Sequence, residues 1–159
     1  MTVSALGLQP FPKVELPDLQ GSSAPVVARP PVGRTVVAVG HSDCGTTRLL
    51  VPYLKRMHGR RASGSSVVLV LQDGREKARA FLAELRVELP VRLEPEPYPL
   101  SRELRLETVP TLFLVGPTGL IEGRSEGFER AAIEDLALRL GVRAPFFLPA
   151  DTAPALRPG

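Results

Sequence analysis

"VVAVGHSDCGTTRLLVPYL", residues 36–54, holds the only cysteine of the 159-residue chain, Cys44. The hydrophobic period changes midway through it. Residues 36–39 are a continuous apolar run rich in β-branched side chains and closed by Gly40, the pattern of a buried strand. Beyond Cys44, the apolar residues Leu49, Leu50, Tyr53, Leu54 and Met57 fall on one face at helical spacing. The thiol therefore stands at a strand-to-helix junction. There it meets the positive end of the helix dipole and the first-turn N–H groups that have no intrahelical partner, and both favour thiolate over thiol. A free cysteine is often just a small buried hydrophobe. Here the polar neighbours His41, Ser42, Asp43, Thr46 and Thr47 argue against a deep core position. Pro52 lies inside the helical stretch and removes one ladder hydrogen bond, so a kink is expected there.

The alternation continues on both sides. Upstream, residues 8–33 are punctuated by Pro and Gly, and the apolar pieces "VEL" and "PVV" flank the turn-like "PDLQGSS". This predicts an irregular hairpin extension over 1–33. Downstream, "VVLVLQD" (67–73) is a second buried strand, and "GREKARAFLAELRVEL" (74–89) sets Ala78, Phe81, Leu82, Leu85 and Leu89 on one helical stripe. "PVRLEPEP" (90–97) predicts a short strand and "PLSRELRL" (99–106) a short helix. "TVPTLFLVGPTGLIEGRSEGF" (108–128) is a hairpin around a Gly-Pro-Thr-Gly turn. "RAAIEDLALRLGV" (130–142) closes with Ile133, Leu136, Ala137 and Leu140 facing inward and Gly141 as C-cap. Strands alternating with helices, then an antiparallel pair, describe an α/β protein with a mixed central sheet covered on both faces. One domain over 1–143 is expected. A Pro-rich, irregular tail follows over 144–159, where Phe146 and Phe147 pin it to the body or bury against a second subunit.

Composition narrows the function classes. An apolar share of 43% suits a globular protein, and no stretch reaches the apolar length of a membrane span. The N-terminus has neither the basic start nor the apolar run of a secretory signal. One cysteine forms no internal disulfide, so the cytoplasm is the expected compartment. The net charge is +3, and the densest basic cluster, "LKRMHGRR" (54–61), falls where a helix should end and complements its dipole. No alternating aromatics accompany it for base stacking, so nucleic-acid binding is not expected.

Cys44 at this junction, within this order of elements, resembles the thioredoxin fold. "DCGTT" lies where that family carries its redox CxxC, with Cys44 on the first cysteine and Thr47 on the second. Pro52 matches the proline that kinks the family's active-site helix, and "TVPT", with Val109, Pro110 and Thr111, looks like its cis-proline loop. The opening "FPKVELPDLQGSSAPV" (11–26), followed by "GRTVVAVGHSDC" (33–44), is similar to that of two groups. These are the thioredoxin-like thiol–disulfide oxidoreductases and the peroxiredoxins of the alkyl hydroperoxide reductase/thiol-specific antioxidant group. The resemblance spans residues 10 to 141.

It implies a thiol–disulfide oxidoreductase acting through Cys44, without cofactor or metal, on a protein or a low-molecular-weight thiol or disulfide. Thr47 cannot resolve a mixed disulfide, so an outside thiol must do so, while its hydroxyl is placed to hold the thiolate. Val109, Pro110 and Thr111 would dock the partner chain through the Val109 backbone. His41, three residues before the thiol, is a candidate to favour thiolate or shuttle its proton, or an exposed loop residue with no role. Asp43 opposes thiolate by its charge or serves as the helix N-cap. Thioredoxin's buried acid aligns with Ala38, so no carboxylate relay is visible at that place. A one-Cys peroxidase is the alternative. Peroxiredoxins, however, keep a Thr where this chain has His41, and an Arg near the cis-proline for which only Arg124 can substitute. A redox-inactive binding module is the third reading. "HSDC" lacks a fourth donor for zinc, since His58 lies at the far end of the helix.

Overall fold

The structure, a computed structural model, describes residues 9–28 and 32–159. What the sequence predicts for 1–8 and 29–31 lies outside the described residues. The Pro- and Gly-punctuated opening forms an antiparallel pair, β1 (Glu15–Pro17) and β2 (Ser23–Pro25). Its turn is closed by the Asp18 carboxylate, which accepts the N–H groups of Gln20 and Ser22 at 2.8 and 2.9 Å.

β3 (Thr35–Gly40) follows, and all six of its residues are buried, as a strand covered on both faces requires. α1 (Gly45–Arg60) carries the chain over to β4 (Ser66–Leu71), parallel to β3. The helix stays continuous through Pro52. Its buried face is Thr46, Thr47, Leu50, Val51, Leu54 and Met57, while Leu49 and Tyr53 pack at the rim.

α2 (Arg75–Leu85) is shorter than its stripe predicts. Arg86 turns left-handed (φ 55°), Arg86 N–H returns to the Ala83 carbonyl and Val87 N–H to Leu82, so a Schellman cap stops the helix. Leu89 packs on the core from the loop beyond. β5 (Val91–Leu93) and the one-turn α3 (Pro99–Glu103) come next, then the hairpin β6 (Thr111–Val115) and β7 (Ile121–Glu126). After β8 (Phe128–Glu129), α4 (Arg130–Arg139) ends at Gly141, whose φ of +81° and the Val142 N–H bond to Ala137 make a second Schellman cap.

The central sheet runs β5-β4-β3-β6-β7, with β3, β4 and β5 parallel and β6 and β7 antiparallel. Period-2 alternation divides its side chains. Val36, Ala38, Leu69 and Leu112 face the core shared with α1, α2 and α4, whereas Val37, Val39, Val70 and Phe113 face Phe11, Leu16, Leu100 and Leu104 from the N-terminal hairpin and α3.

The C-terminal segment follows one of the two expected arrangements and departs from expectation once. Phe146 and Phe147 are buried within the chain itself, against Tyr53 and Phe128, and do not wait for a second subunit. Beyond them the tail is not wholly irregular: β9 (Leu156–Arg157) pairs antiparallel with β8. Arg56 on α1 anchors the run between, donating to both Asp151 carboxylate oxygens at 2.6 and 2.9 Å.

Candidate active site around Cys44

Gly40 ends β3 without a side chain because Thr47 stands there. A Cβ at Gly40 would come within 2.6 Å of Thr47 Cγ2 and 2.8 Å of its Oγ1. The chain then makes one turn, with Cys44 N–H donating to the His41 carbonyl at 3.0 Å, and α1 begins. Cys44 is itself the N-cap. Its backbone is extended (φ −85°, ψ 117°) and its carbonyl accepts the Arg48 N–H at 3.0 Å. This corrects the expectation that Asp43 caps the helix. Asp43 lies one residue too early, is exposed, and pairs with Lys77 at 2.5 Å. The Lys77 hydrogen bond holds the Asp43 carboxyl below the ordinary carboxylate range and compensates the charge beside the thiol.

The thiol is half-buried and donates to the Val109 carbonyl at 3.4 Å. Burial pushes it up. The backbone N–H of Thr47, its hydroxyl, the Thr46 N–H and the Arg157 guanidinium outweigh that, and the thiol lies below its ordinary value. An N-cap side chain is where two free N–H groups converge, so an anionic sulfur serves there as the acceptor.

Thr47 is fully buried, and its hydroxyl also accepts the His41 N–H at 3.3 Å. The His41 imidazole turns to Asp43 and Asp73 instead of the sulfur. Nδ1 accepts the Asp43 N–H at 3.0 Å, and Nε2 lies 3.7 Å from Asp73 Oδ1. The Val109–Pro110 peptide bond is cis. Val109 is the member of that loop whose backbone meets the thiol. Pro110 gives its carbonyl to Gly127 N–H, and Thr111 is fully buried, its hydroxyl donating to Thr108 at 2.8 Å. A cavity of about 580 Å³ opens beside Val109, between Gln72, Tyr98, Arg102, Arg105 and Thr108.

Three features escape the sequence. Asp73 is buried and accepts both the N–H and the hydroxyl of Ser42, at 3.0 and 2.6 Å. A carboxylate thus does brace the site, from the loop after β4 and not from the Ala38 position. The register Gly40↔Leu71 puts the two strand ends side by side, and the polar "QD" after the apolar run is its only sequence signal. Arg157 is the second feature: its guanidinium lies over Gly45, the first residue of α1. The third is the Thr46 hydroxyl, which donates to the Pro158 carbonyl at 2.6 Å. Nothing in a Pro-rich tail announces either contact.

Compared as a sequence, the chain matches no family profile and no curated protein. Solved structures do match it. A candidate thiol:disulfide interchange protein DsbE from Chlorobium tepidum superposes with a TM-score of 0.75 at 24% identity, over 87% of this chain and 96% of that one. StoA from Bacillus subtilis gives 0.67 at 18% identity, over 82% and 98%. A thiol:disulfide interchange protein of the thioredoxin family from Chlorobium tepidum gives 0.70 at 15%, over 86% and 99%. The chain has the thioredoxin-like fold.

Proposed function

We propose that this protein is a single-thiol thiol–disulfide oxidoreductase acting through Cys44. The observation that carries the reading is the sulfur at the N-cap of α1, facing the Val109 carbonyl with Thr46, Thr47 and Arg157 around it. A reactive thiol needs thiolate character and access, and a half-buried N-cap position supplies both.

The exchange balances as two thiol–disulfide steps. The Cys44 thiolate attacks one sulfur of a disulfide, a Cys44–S bond forms, the original S–S bond breaks, and the leaving thiolate departs with the electron pair. Thr47 has no sulfur to complete an internal resolution. An outside low-molecular-weight thiolate therefore attacks the substrate-derived sulfur and releases Cys44 as thiolate. The Val109 backbone, half-buried beside the sulfur, supports docking of the incoming chain. Peroxide reduction is less well served. Arg124, the residue expected to stand in for the peroxidase arginine, spends its guanidinium on the Leu104 and Arg105 carbonyls, at 2.7 and 3.2 Å, and is not free for a peroxide oxygen.

Alkylation rate against pH, with Cys44→Ser as the blank, tests the premise. A midpoint below the free-cysteine value of about 8.5 is expected, and one at or above it would return Cys44 to an inert role. Thr47→Cys tests the geometry, because a correctly placed second thiol releases a small mixed disulfide from Cys44 without an outside thiol, which the parent does not do. Equal peroxide consumption by the parent and Cys44→Ser is expected. A Cys44-dependent difference would favour the peroxidase reading instead.

A further inference from the structure

The segment after Ala155 does more than end the fold. β9 pairs Arg157 with Phe128 and leads the chain across the N-terminus of α1. Three close approaches then hold it over the site. The buried Thr46 hydroxyl bonds the Pro158 carbonyl. Gly127, at φ +70°, leaves room for the Arg157 carbonyl, which a Cβ there would meet at 2.8 Å. Gly159 rests on the Val109 carbonyl and the Thr108 hydroxyl so closely that any side chain would overlap them. The carbonyl that receives the Cys44 S–H is thus also covered by residue 159.

Arg157 is placed against simple electrostatics. A guanidinium at the positive end of a helix dipole is disfavoured, and among the described residues no carboxylate pairs with it. The anion that would justify the position is a sulfur thiolate at Cys44, next to Gly45. A Cβ on Gly45 would come within 2.6 Å of Arg157 Nη2.

We propose that Leu156–Gly159 is a strap occupying the lane a polypeptide partner would use along Val109, so that the closed protein exchanges with small disulfides and admits a polypeptide disulfide only when the strap leaves. Arg157 travels with the strap and is a positioning residue for the thiolate. The two substrate classes therefore respond to strap loss differently. Both lose the cation's help, but only a peptide gains the lane, so the peptide-to-small rate ratio rises. The inference rests on the exchange chemistry proposed above.

The test compares two mixed disulfides with one leaving group, 2-thiopyridine. One is joined to 2-mercaptoethanol and the other to the central cysteine of a short unstructured peptide. Residues 156–159 are all exposed, so a chain lacking them keeps its core. That deletion should raise the peptide-to-small rate ratio by about fivefold, the scale of losing one net hydrogen bond. Thr46→Val should raise it in the same direction. Arg157→Gln, with the strap in place, should slow both probes at pH 7 and leave the ratio unchanged, and the slowing should vanish well above the thiol midpoint. An unchanged ratio in both the deletion and Thr46→Val, with the small probe still reacting through Cys44, overturns the strap and spares the exchange chemistry. A parent protein whose Cys44 ignores the small probe overturns both.

Discussion

Cys44 Sγ and the Val109 carbonyl lie 3.4 Å apart across 65 residues of chain. One belongs to the first turn of a helix and the other to the loop entering β6, and they meet because β6 pairs directly with β3. The sheet register thus decides which backbone carbonyl faces the sulfur.

Thr47→Val keeps the shape of the side chain and removes the hydroxyl that helps hold the thiolate. The lost bond to a charged group outweighs the small change in packing. Alkylation of Cys44 at pH 7 should slow by about three- to tenfold, with its midpoint moved upward. An unaltered pH–rate profile would show that the backbone N–H groups hold the thiolate alone.

Gly40→Ala forces a methyl group against Thr47, which is fixed in the helix and has no space to retreat. Overpacking of this kind costs about 1–3 kcal/mol. Because the displaced residue is Thr47, the same variant should also raise the Cys44 midpoint. Denaturant unfolding and thiol titration on one sample check both effects, and a stability loss without a reactivity change would separate the two residues.

Phe146→Ala empties a fully buried place between Tyr53, Phe147 and Arg56. A loss of about 3–5 kcal/mol is expected from the transfer and cavity contributions together. Urea unfolding should show a lower midpoint at unchanged slope. A loss under about 1 kcal/mol would mean that the tail is not part of the cooperative unit.

Asp151 gives a pH signature. The Arg56 hydrogen bond brings its carboxyl down to about 2 in the folded chain. A carboxyl depressed by folding adds stability that is present above its unfolded value of about 3.9 and is lost as the pH falls through the folded value. Thermal unfolding of the parent should therefore weaken between about pH 4 and pH 2 more steeply than that of Asp151→Asn, which has no proton to take up there. Parallel curves for the two proteins would refute the contribution.

Much of the fold is legible because it rests on local periodicity. The six-residue run of β3, the helical stripe after Cys44 and the Gly141 cap are each written in residues that touch one another along the chain. The early stop of α2 is not, because Arg86 accepts a left-handed backbone that the hydrophobic stripe gives no reason to expect. Cys44 and Thr47 are legible for the same local reason, being one helical turn apart.

The sequence alone determined that a lone thiol opens a helix after a buried strand, since both periods and the helix dipole are properties of contiguous residues. Tertiary structure decided what surrounds that thiol. Asp73 arrives through the parallel register of β3 and β4, Val109 through the antiparallel pairing of β3 with β6, and Arg157 through a two-residue ladder at the far end of the chain. Hydrogen bonds between distant backbones carry no side-chain code of their own. Only the strand pairings bring Val109 and Arg157 to the sulfur and Asp73 to Ser42 in the turn beside it.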